Sequence, residues 1–217
     1  MSDNPDSGTT SHALDDLLAR YAAGNLPPAL HALVAGHLSL RDDHHGFVST
    51  LERSAAAFME SCSPAAITDR DGMLQNILED EAAEISPVKH PLLPFPVATH
   101  FRQTNDTVPW RFMLPGVRRF GLKRDEHGLD AELMWIRAGR RMPSHTHRGS
   151  EYTLVLQGVF GDEFGQYRRG DIVIADDEIE HNPVASADED CICFIVTDAP
   201  LKLTGSMFGF LRSLIGR

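Results

Sequence analysis

The first 84 residues carry apolar side chains at intervals of three to four positions, the spacing of a helix with one buried face. This period predicts four helices, over residues 12–24, 27–38, 43–59 and 68–84. In the last two helices the stripe consists of Phe47, Val48, Leu51, Ala55, Phe58, Met73, Leu74, Ile77 and Leu78. Four short helices form only a small bundle, so we expect residues 1–84 to gain stability from a partner or a metal.

A proline-rich segment separates this helical part from a region with a different pattern. Residues 85–97 contain four prolines, which predict an extended, semi-rigid linker and a domain boundary. Over residues 98–217, short runs of β-branched and aromatic residues alternate with turn residues, a pattern typical of strands. The runs predict strands at 112–116, 117–120, 131–136, 152–156, 159–160, 171–174, 181–184 and 191–196. About eight such strands make a jelly-roll β-barrel, so the predicted fold is α+β with two domains.

The acidic side chains are concentrated in the helical part. Residues 1–84 hold 14 acidic and 4 basic side chains, a net charge of −10, whereas residues 85–217 hold 17 and 16, a net charge of −1. An acidic surface repels the phosphates of nucleic acid, so we do not expect direct nucleic-acid binding. The same charge favours a basic protein partner, although an ordinary solvated surface would show the same excess.

The termini and the cysteines suggest where the protein works. The sequence shows no apolar run long enough to span a bilayer and no signal peptide, and residues 1–10 are polar enough to be disordered. Cys62, Cys191 and Cys193 are too few for a disulfide framework and fit a reducing cytoplasm. The tail, residues 207–215, carries an apolar helical stripe, which we expect to pack on the barrel or on a second subunit in a homodimer. Membrane binding is not expected, because it would need more Lys and Arg.

Four residues of the barrel region have the types and spacing of metal ligands. His145 and His147 are two positions apart, so both rings point to the same side of an extended strand. Residues 148–150 form a turn that returns Glu151 to that face, and His181 supplies a fourth ligand. Three imidazoles and a carboxylate suit a divalent metal, for which we expect Zn2+ with Fe2+, Mn2+ or Ni2+ as alternatives. The other interpretation is that these are ordinary polar residues of a strand pair.

These residues resemble the two sequence motifs of the cupin family. The spacing of Gly139, His145, His147, Glu151 and Gly158 fits the first motif throughout, and Gly170 precedes His181 by eleven positions, as in the second motif. The second motif departs from the family pattern at Asp176, Glu178 and Ala185. The resemblance implies a metal in the mouth of a cupin barrel with an apolar lumen behind it. Cys191 and Cys193 are two positions apart and therefore share one face of the last strand. If that face is inward, one interpretation is a redox-sensitive pair, and the other is two small buried hydrophobic residues.

A second histidine cluster lies in the helical part. The segment 17–24, Leu-Leu-Ala-Arg-Tyr-Ala-Ala-Gly, and the segment 37–40, His-Leu-Ser-Leu, resemble the ChrR-type anti-sigma factors, which join a zinc anti-sigma domain to a cupin domain. That family carries His-x3-Cys-x2-Cys where this chain has His37, Arg41 and His44. Arg41 cannot bind a metal, so one interpretation is a three-histidine site of His12, His37 and His44, completed by water or by His45. The alternative is a metal-free bundle in which Arg41 pairs with an acid such as Asp42 or a residue of another helix.

Three functions remain open on these observations. The resemblance implies an anti-sigma factor that sequesters an extracytoplasmic-function sigma factor through residues 1–84, while the cupin metal site responds to oxidative or singlet-oxygen type stress. The second function is a cupin metalloenzyme such as a dioxygenase, because the fold does not separate sensor from enzyme. The third is a stand-alone cupin whose helical part serves only dimerisation.

Overall fold

Five helices precede the first strand in the part of the chain that the structure describes. The structure, a computed structural model, describes residues 7–80, 90–103, 107–146, 148–177, 179–199 and 202–203. The helices are α1 Ser7–Ala22, α2 Pro28–Leu40, α3 His45–Ser61, α4 Arg70–Glu79 and α5 Phe95–His100. The four predicted helices are confirmed, with ends shifted by a few residues.

Two segments differ from the sequence predictions. Helix α1 begins at Ser7, inside the segment 1–10 that we expected to be disordered. Helix α5 lies partly within the linker expected to be extended, because Pro94 and Pro96 occupy the start of the helix, where proline is tolerated. The predicted tail stripe at 207–215 lies outside the described residues.

The strands form a β-sandwich. They are β1 Arg111–Leu114, β2 Val117–Gly121, β3 Asp130–Ile136, β4 His145–Thr146, β5 Glu151–Gln157, β6 Val159–Gly161, β7 Gln166–Arg168, β8 Ile172–Ala175, β9 Val184–Ala185, β10 Cys191–Thr197 and β11 Lys202–Leu203. The large sheet has the order β1-β2-β3-β10-β5-β8, and the smaller sheets have the orders β7-β6-β9 and β11-β4. All these strand pairs are antiparallel.

Each face of the large sheet carries its own hydrophobic core, because successive residues of a strand point to opposite faces. Leu154 and Phe194 belong to a core that also contains buried residues of α1, α2 and α5. Val155 and Cys193 belong to the other core, which closes against β6 and β9. The helical part and the sheet therefore share one core, whereas the domain boundary at 85–97 stays a prediction.

The contact between α2 and the sheet is close. Gly36 is buried, and a Cβ placed on it would lie 2.9 Å from Leu154 Cδ2 and 2.9 Å from Val97 Cγ2. Contacts below 3.0 Å require the neighbours to move. The missing side chain thus allows α2 to pack directly against β5 and α5.

Candidate metal centre and partner surface

His145 and His181 come together at the inner face of the sandwich. Their backbones form an isolated antiparallel bridge, in which His145 N–H donates to His181 O at 3.1 Å and His181 N–H donates to His145 O at 3.0 Å. Residues paired in this way have side chains on the same side. The two Nε2 atoms consequently face each other at 2.9 Å, and both side chains are buried.

The outer nitrogens of both rings have acceptors that fix their tautomers. His145 Nδ1 lies 2.8 Å from Pro143 O, and His181 Nδ1 lies 3.3 Å from Asp162 Oδ2. A carbonyl or carboxylate oxygen can only accept, so each Nδ1 carries the hydrogen and each Nε2 presents a lone pair. Two lone pairs that face each other repel unless a proton or a metal ion lies between them. Two nitrogens on one tetrahedral zinc are roughly 3.3 Å apart, close to the observed separation.

The charges at this site also suit a cation. The pKa of His145 is lowered to about 4, mainly by burial and also by the adjacent His181, although the hydrogen bond to Pro143 opposes the shift. His145 is therefore neutral at pH 7 and able to bind a metal. Burial raises the pKa of Glu151, which accepts a hydrogen bond from Thr153 Oγ1 at 3.1 Å. A bound cation would stabilise the ionised Glu151 carboxylate.

These groups line one end of a cavity inside the sandwich. The cavity has a volume of about 40 Å³ and is partly open to solvent. It is lined by His145, Glu151, Thr153 and His181 at the polar end and by Met134, Ile136, Met142, Phe160, Val173, Pro183, Cys193 and Ile195 elsewhere. The arrangement is a small apolar pocket with a few polar groups at one end, as ligand sites have.

Three of the four predicted metal ligands, His145, Glu151 and His181, thus line the same cavity. The fourth, His147, lies outside the described residues. Within the residues that the structure describes, no three His, Cys, Asp or Glu side chains are close enough together to hold a metal ion. His145 and His181 suit a metal, because both are buried and their Nε2 atoms face each other. The assignment of four ligands stays a prediction.

The two cysteines of β10 point inward. Cys191 and Cys193 are buried with their sulfur atoms 3.6 Å apart, and Cys193 lines the cavity. The hydrogen bond with Cys191 and burial both raise the pKa of Cys193. The Cys193 thiol is therefore protonated at neutral pH, and it lies within reach of a small molecule that enters the cavity.

His37 and His44 of the helical part meet at the junction between α2 and α3. His37 is buried, its Nδ1 donates to Gly170 O at 2.6 Å, and its Nε2 lies 2.8 Å from His44 Nδ1. His12 is exposed, and His45 Nε2 lies 2.7 Å from Leu38 O. Among the described residues the structure brings His37 and His44 together, whereas His12 lies apart from them, and the three-histidine site stays a prediction.

Arg41 joins the helical part to the turn between β7 and β8. Its guanidinium pairs with Asp43 and, at 2.8 Å, with Asp171, whereas we had suggested Asp42 as one acid partner. Its side chain also packs on Gly170, where a Cβ would lie 2.5 Å from Arg41 Cγ. The residue that replaces the first motif cysteine thus holds the α2–α3 junction against the sandwich.

Helices α3 and α4 expose most of their apolar side chains. In α3 only Val48 is buried, and α4 buries none of its described residues. Seven large apolar side chains of this region, between 47% and 76% exposed, form what we call the α3–α4 apolar surface: Phe58, Met59, Ile67, Met73, Leu74, Ile77 and Leu78. Exposed apolar groups in such number mark an interaction site. Nowhere in the described part of the chain is a helix long and apolar enough to cross a membrane.

The fold and these sites define the class of protein: a cupin-like sandwich that carries an N-terminal helical region. Residues 98–200 match the family described as ChrR cupin-like domain. The chain is 40% identical over 209 residues to anti-sigma-E factor ChrR of Cereibacter sphaeroides, covering 94% of this chain and 95% of that protein. The crystal structure of Rhodobacter sphaeroides SigE in complex with the anti-sigma ChrR matches with a TM-score of 0.71 and 39% identity, over 85% of this chain and 96% of that chain. The chain belongs to the ChrR family of anti-sigma factors.

Proposed function

We propose that this chain is an anti-sigma factor that binds and sequesters an extracytoplasmic-function sigma factor through its helical part. The observation that carries the proposal is the α3–α4 apolar surface. Helix α4 has 10 residues and buries none of them, whereas isolated helices shorter than about 12–15 residues are marginal in water. A helix of this kind is stabilised when a partner covers it.

Two further observations support a sigma factor as that partner. The solved complex that matches this fold contains SigE and the anti-sigma ChrR, and the match covers 85% of this chain. The net charge of −10 on residues 1–84 complements a basic protein surface. The helical part would insert between the two sigma domains and cover the surfaces that bind polymerase and promoter. Since transcription occurs in the cytoplasm, the protein would act there.

Transcription in vitro tests this function. Full-length chain is titrated against a fixed amount of the sigma factor with core polymerase and a promoter that this sigma factor recognises. We expect transcription to be lost near one chain per sigma factor, while transcription by an unrelated sigma factor continues. Undiminished transcription at a tenfold excess of the chain would contradict the proposal.

We further propose that the cupin-like sandwich binds one Zn2+ through His145, His147, Glu151 and His181. The facing Nε2 lone pairs, the lowered pKa of His145 and the burial of Glu151 support a cation at this place. When bound, zinc would neutralise the buried carboxylate and tie β4, β5 and the His181 segment together. Elemental mass spectrometry should find one zinc per chain and none in the His145→Ala/His147→Ala double variant. Full metal retention in that variant would refute the ligand set, and iron would favour the enzyme alternative.

An oxidant is the stimulus that we propose for this site. The cavity is lined by Met134, Met142 and Cys193, side chains that oxidants attack, together with the imidazole of His145. Damage there would change the packing between β10 and β5, which lie against α2. We expect an oxidant to release the sigma factor from the wild-type chain and not from a Met134→Leu/Met142→Leu/Cys193→Ala variant, which lacks the side chains that the oxidant attacks. Release from both at equal rates would contradict this proposal.

A further inference from the structure

Asp162 is a buried carboxylate that the sequence motifs do not include. It follows β6, and its side chain is 1% exposed, whereas the next residue, Glu163, is exposed. Its Oδ1 accepts hydrogen bonds from the backbone N–H groups of Phe164 at 2.9 Å and Gly165 at 3.1 Å. Its own N–H donates to Gly165 O at 3.0 Å. The β6–β7 turn therefore holds the carboxylate in one orientation.

The second oxygen of this carboxylate faces His181. Oδ2 lies 3.3 Å from His181 Nδ1, and both side chains are almost fully buried. The carboxylate oxygen accepts the hydrogen bond, so the hydrogen of His181 lies on Nδ1. The Nε2 lone pair is then directed at His145.

We propose that Asp162 is the positioning residue of the metal centre: it fixes the tautomer and the ring orientation of His181. This inference rests on the proposed metal centre. A histidine ligand that donates its second N–H to a carboxylate is held in the metal-binding orientation and becomes more basic. His145 obtains the equivalent restraint from the carbonyl of Pro143, at 2.8 Å. The two imidazoles thus have separate supports, one from a backbone group and one from a side chain that a substitution can alter.

The substitution Asp162→Asn separates this role from a structural one. The amide oxygen can still accept from Phe164 and Gly165, so the turn keeps both hydrogen bonds. The amide nitrogen, however, is a donor, so it favours the His181 tautomer with hydrogen on Nε2 and removes the lone pair that a metal needs. Glu163→Gln is the matched control, since it removes one negative charge from an exposed position in the same turn.

Affinity for Zn2+ is measured by competition with a chromophoric chelator, and the Co2+ absorption spectrum reports the ligand geometry. We expect Asp162→Asn to bind Zn2+ about 10- to 100-fold more weakly, the usual cost of losing such a partner. Glu163→Gln should bind as the wild type does. Asp162→Asn with wild-type affinity would overturn the inference, and equal loss in both variants would reduce it to an effect of charge.

A second measurement needs neither the metal nor a stable variant. In metal-free wild type, 15N chemical shifts of the imidazoles should show His181 with hydrogen on Nδ1; hydrogen on Nε2 would overturn the inference. The metal centre itself is judged separately: if His145→Ala retains its metal, the proposed centre fails. If His145→Ala loses the metal and Asp162→Asn keeps both affinity and tautomer, only the role of Asp162 fails.

Discussion

Leu78 at the end of α4 offers a quantitative test of the α3–α4 apolar surface. Its side chain is 76% exposed. Full burial of a leucine side chain contributes about 1.5–3 kcal/mol, so about 1–2 kcal/mol remains available to a partner that covers the exposed part. We therefore expect Leu78→Gln to weaken binding of the sigma factor roughly 5- to 30-fold, because about 1.4 kcal/mol corresponds to tenfold in Kd.

The stability of the free chain should not change. Leucine and glutamine have similar helix propensity, and no packing is lost at an exposed position, so the free energy of unfolding should stay within about 0.5 kcal/mol. The assay is isothermal titration calorimetry with the purified sigma factor, together with urea unfolding of each variant.

Phe112 on β1 provides the matched control. It is also 76% exposed, but it lies on the edge strand of the large sheet. Phe112→Gln should leave the affinity for the sigma factor unchanged. Equal weakening in both variants, or unchanged affinity in Leu78→Gln, would refute the assignment of α4 to the interface.

Three further predictions concern the contact between the helices and the sandwich. Gly36→Ala should lower the free energy of unfolding by about 1–2 kcal/mol, since overpacking against Val97 at 2.9 Å outweighs the gain in helix propensity; a more stable variant in urea would contradict this. A double-mutant cycle on Arg41 and Asp171, whose side chains are 30% and 25% exposed, should give a coupling energy of up to about 1 kcal/mol; purely additive effects would show that the pair contributes nothing. Burial lowers the pKa of His37 below 6.5, so below that pH the unfolded chain binds more protons than the folded chain, and stability falls as pH decreases. Urea unfolding at several pH values between 6.5 and about 5 gives the free energy of unfolding as a function of pH. This free energy should fall less steeply with decreasing pH in His37→Gln than in the wild type, whereas an equal fall in both would show that His37 does not cause the pH dependence.

The features that follow from local sequence pattern could be predicted. The helical period located α1 to α4, and the spacing of His145, Glu151 and His181 indicated that they would lie together. The prediction of β-strands after residue 98 followed from turn residues and β-branched runs. In each case the signal comes from neighbours in the chain or from a motif of fixed spacing.

Contacts between distant segments could not be predicted in this way. Asp171 lies 130 positions from Arg41, so nothing near Arg41 identifies its partner. The segment from Asp162 to Gly165 has the sequence of an ordinary turn. Nothing in it indicates that the second carboxylate oxygen of Asp162 accepts a hydrogen bond from His181. The helical spacing of apolar residues up to Leu78 indicates that one face of α4 is to be buried. This spacing is the same whether the chain itself or a partner protein covers that face.

Hydrogen exchange on the complex with the sigma factor tests the central claim most directly. The backbone amides of α3 and α4 are compared in the free chain and in the one-to-one complex. We predict strong protection of Arg70–Glu79 and of the second half of His45–Ser61 on binding, with little change in the sandwich strands. Protection confined to the sandwich, with α3 and α4 exchanging as in the free chain, would contradict the claim that the helical part sequesters the sigma factor.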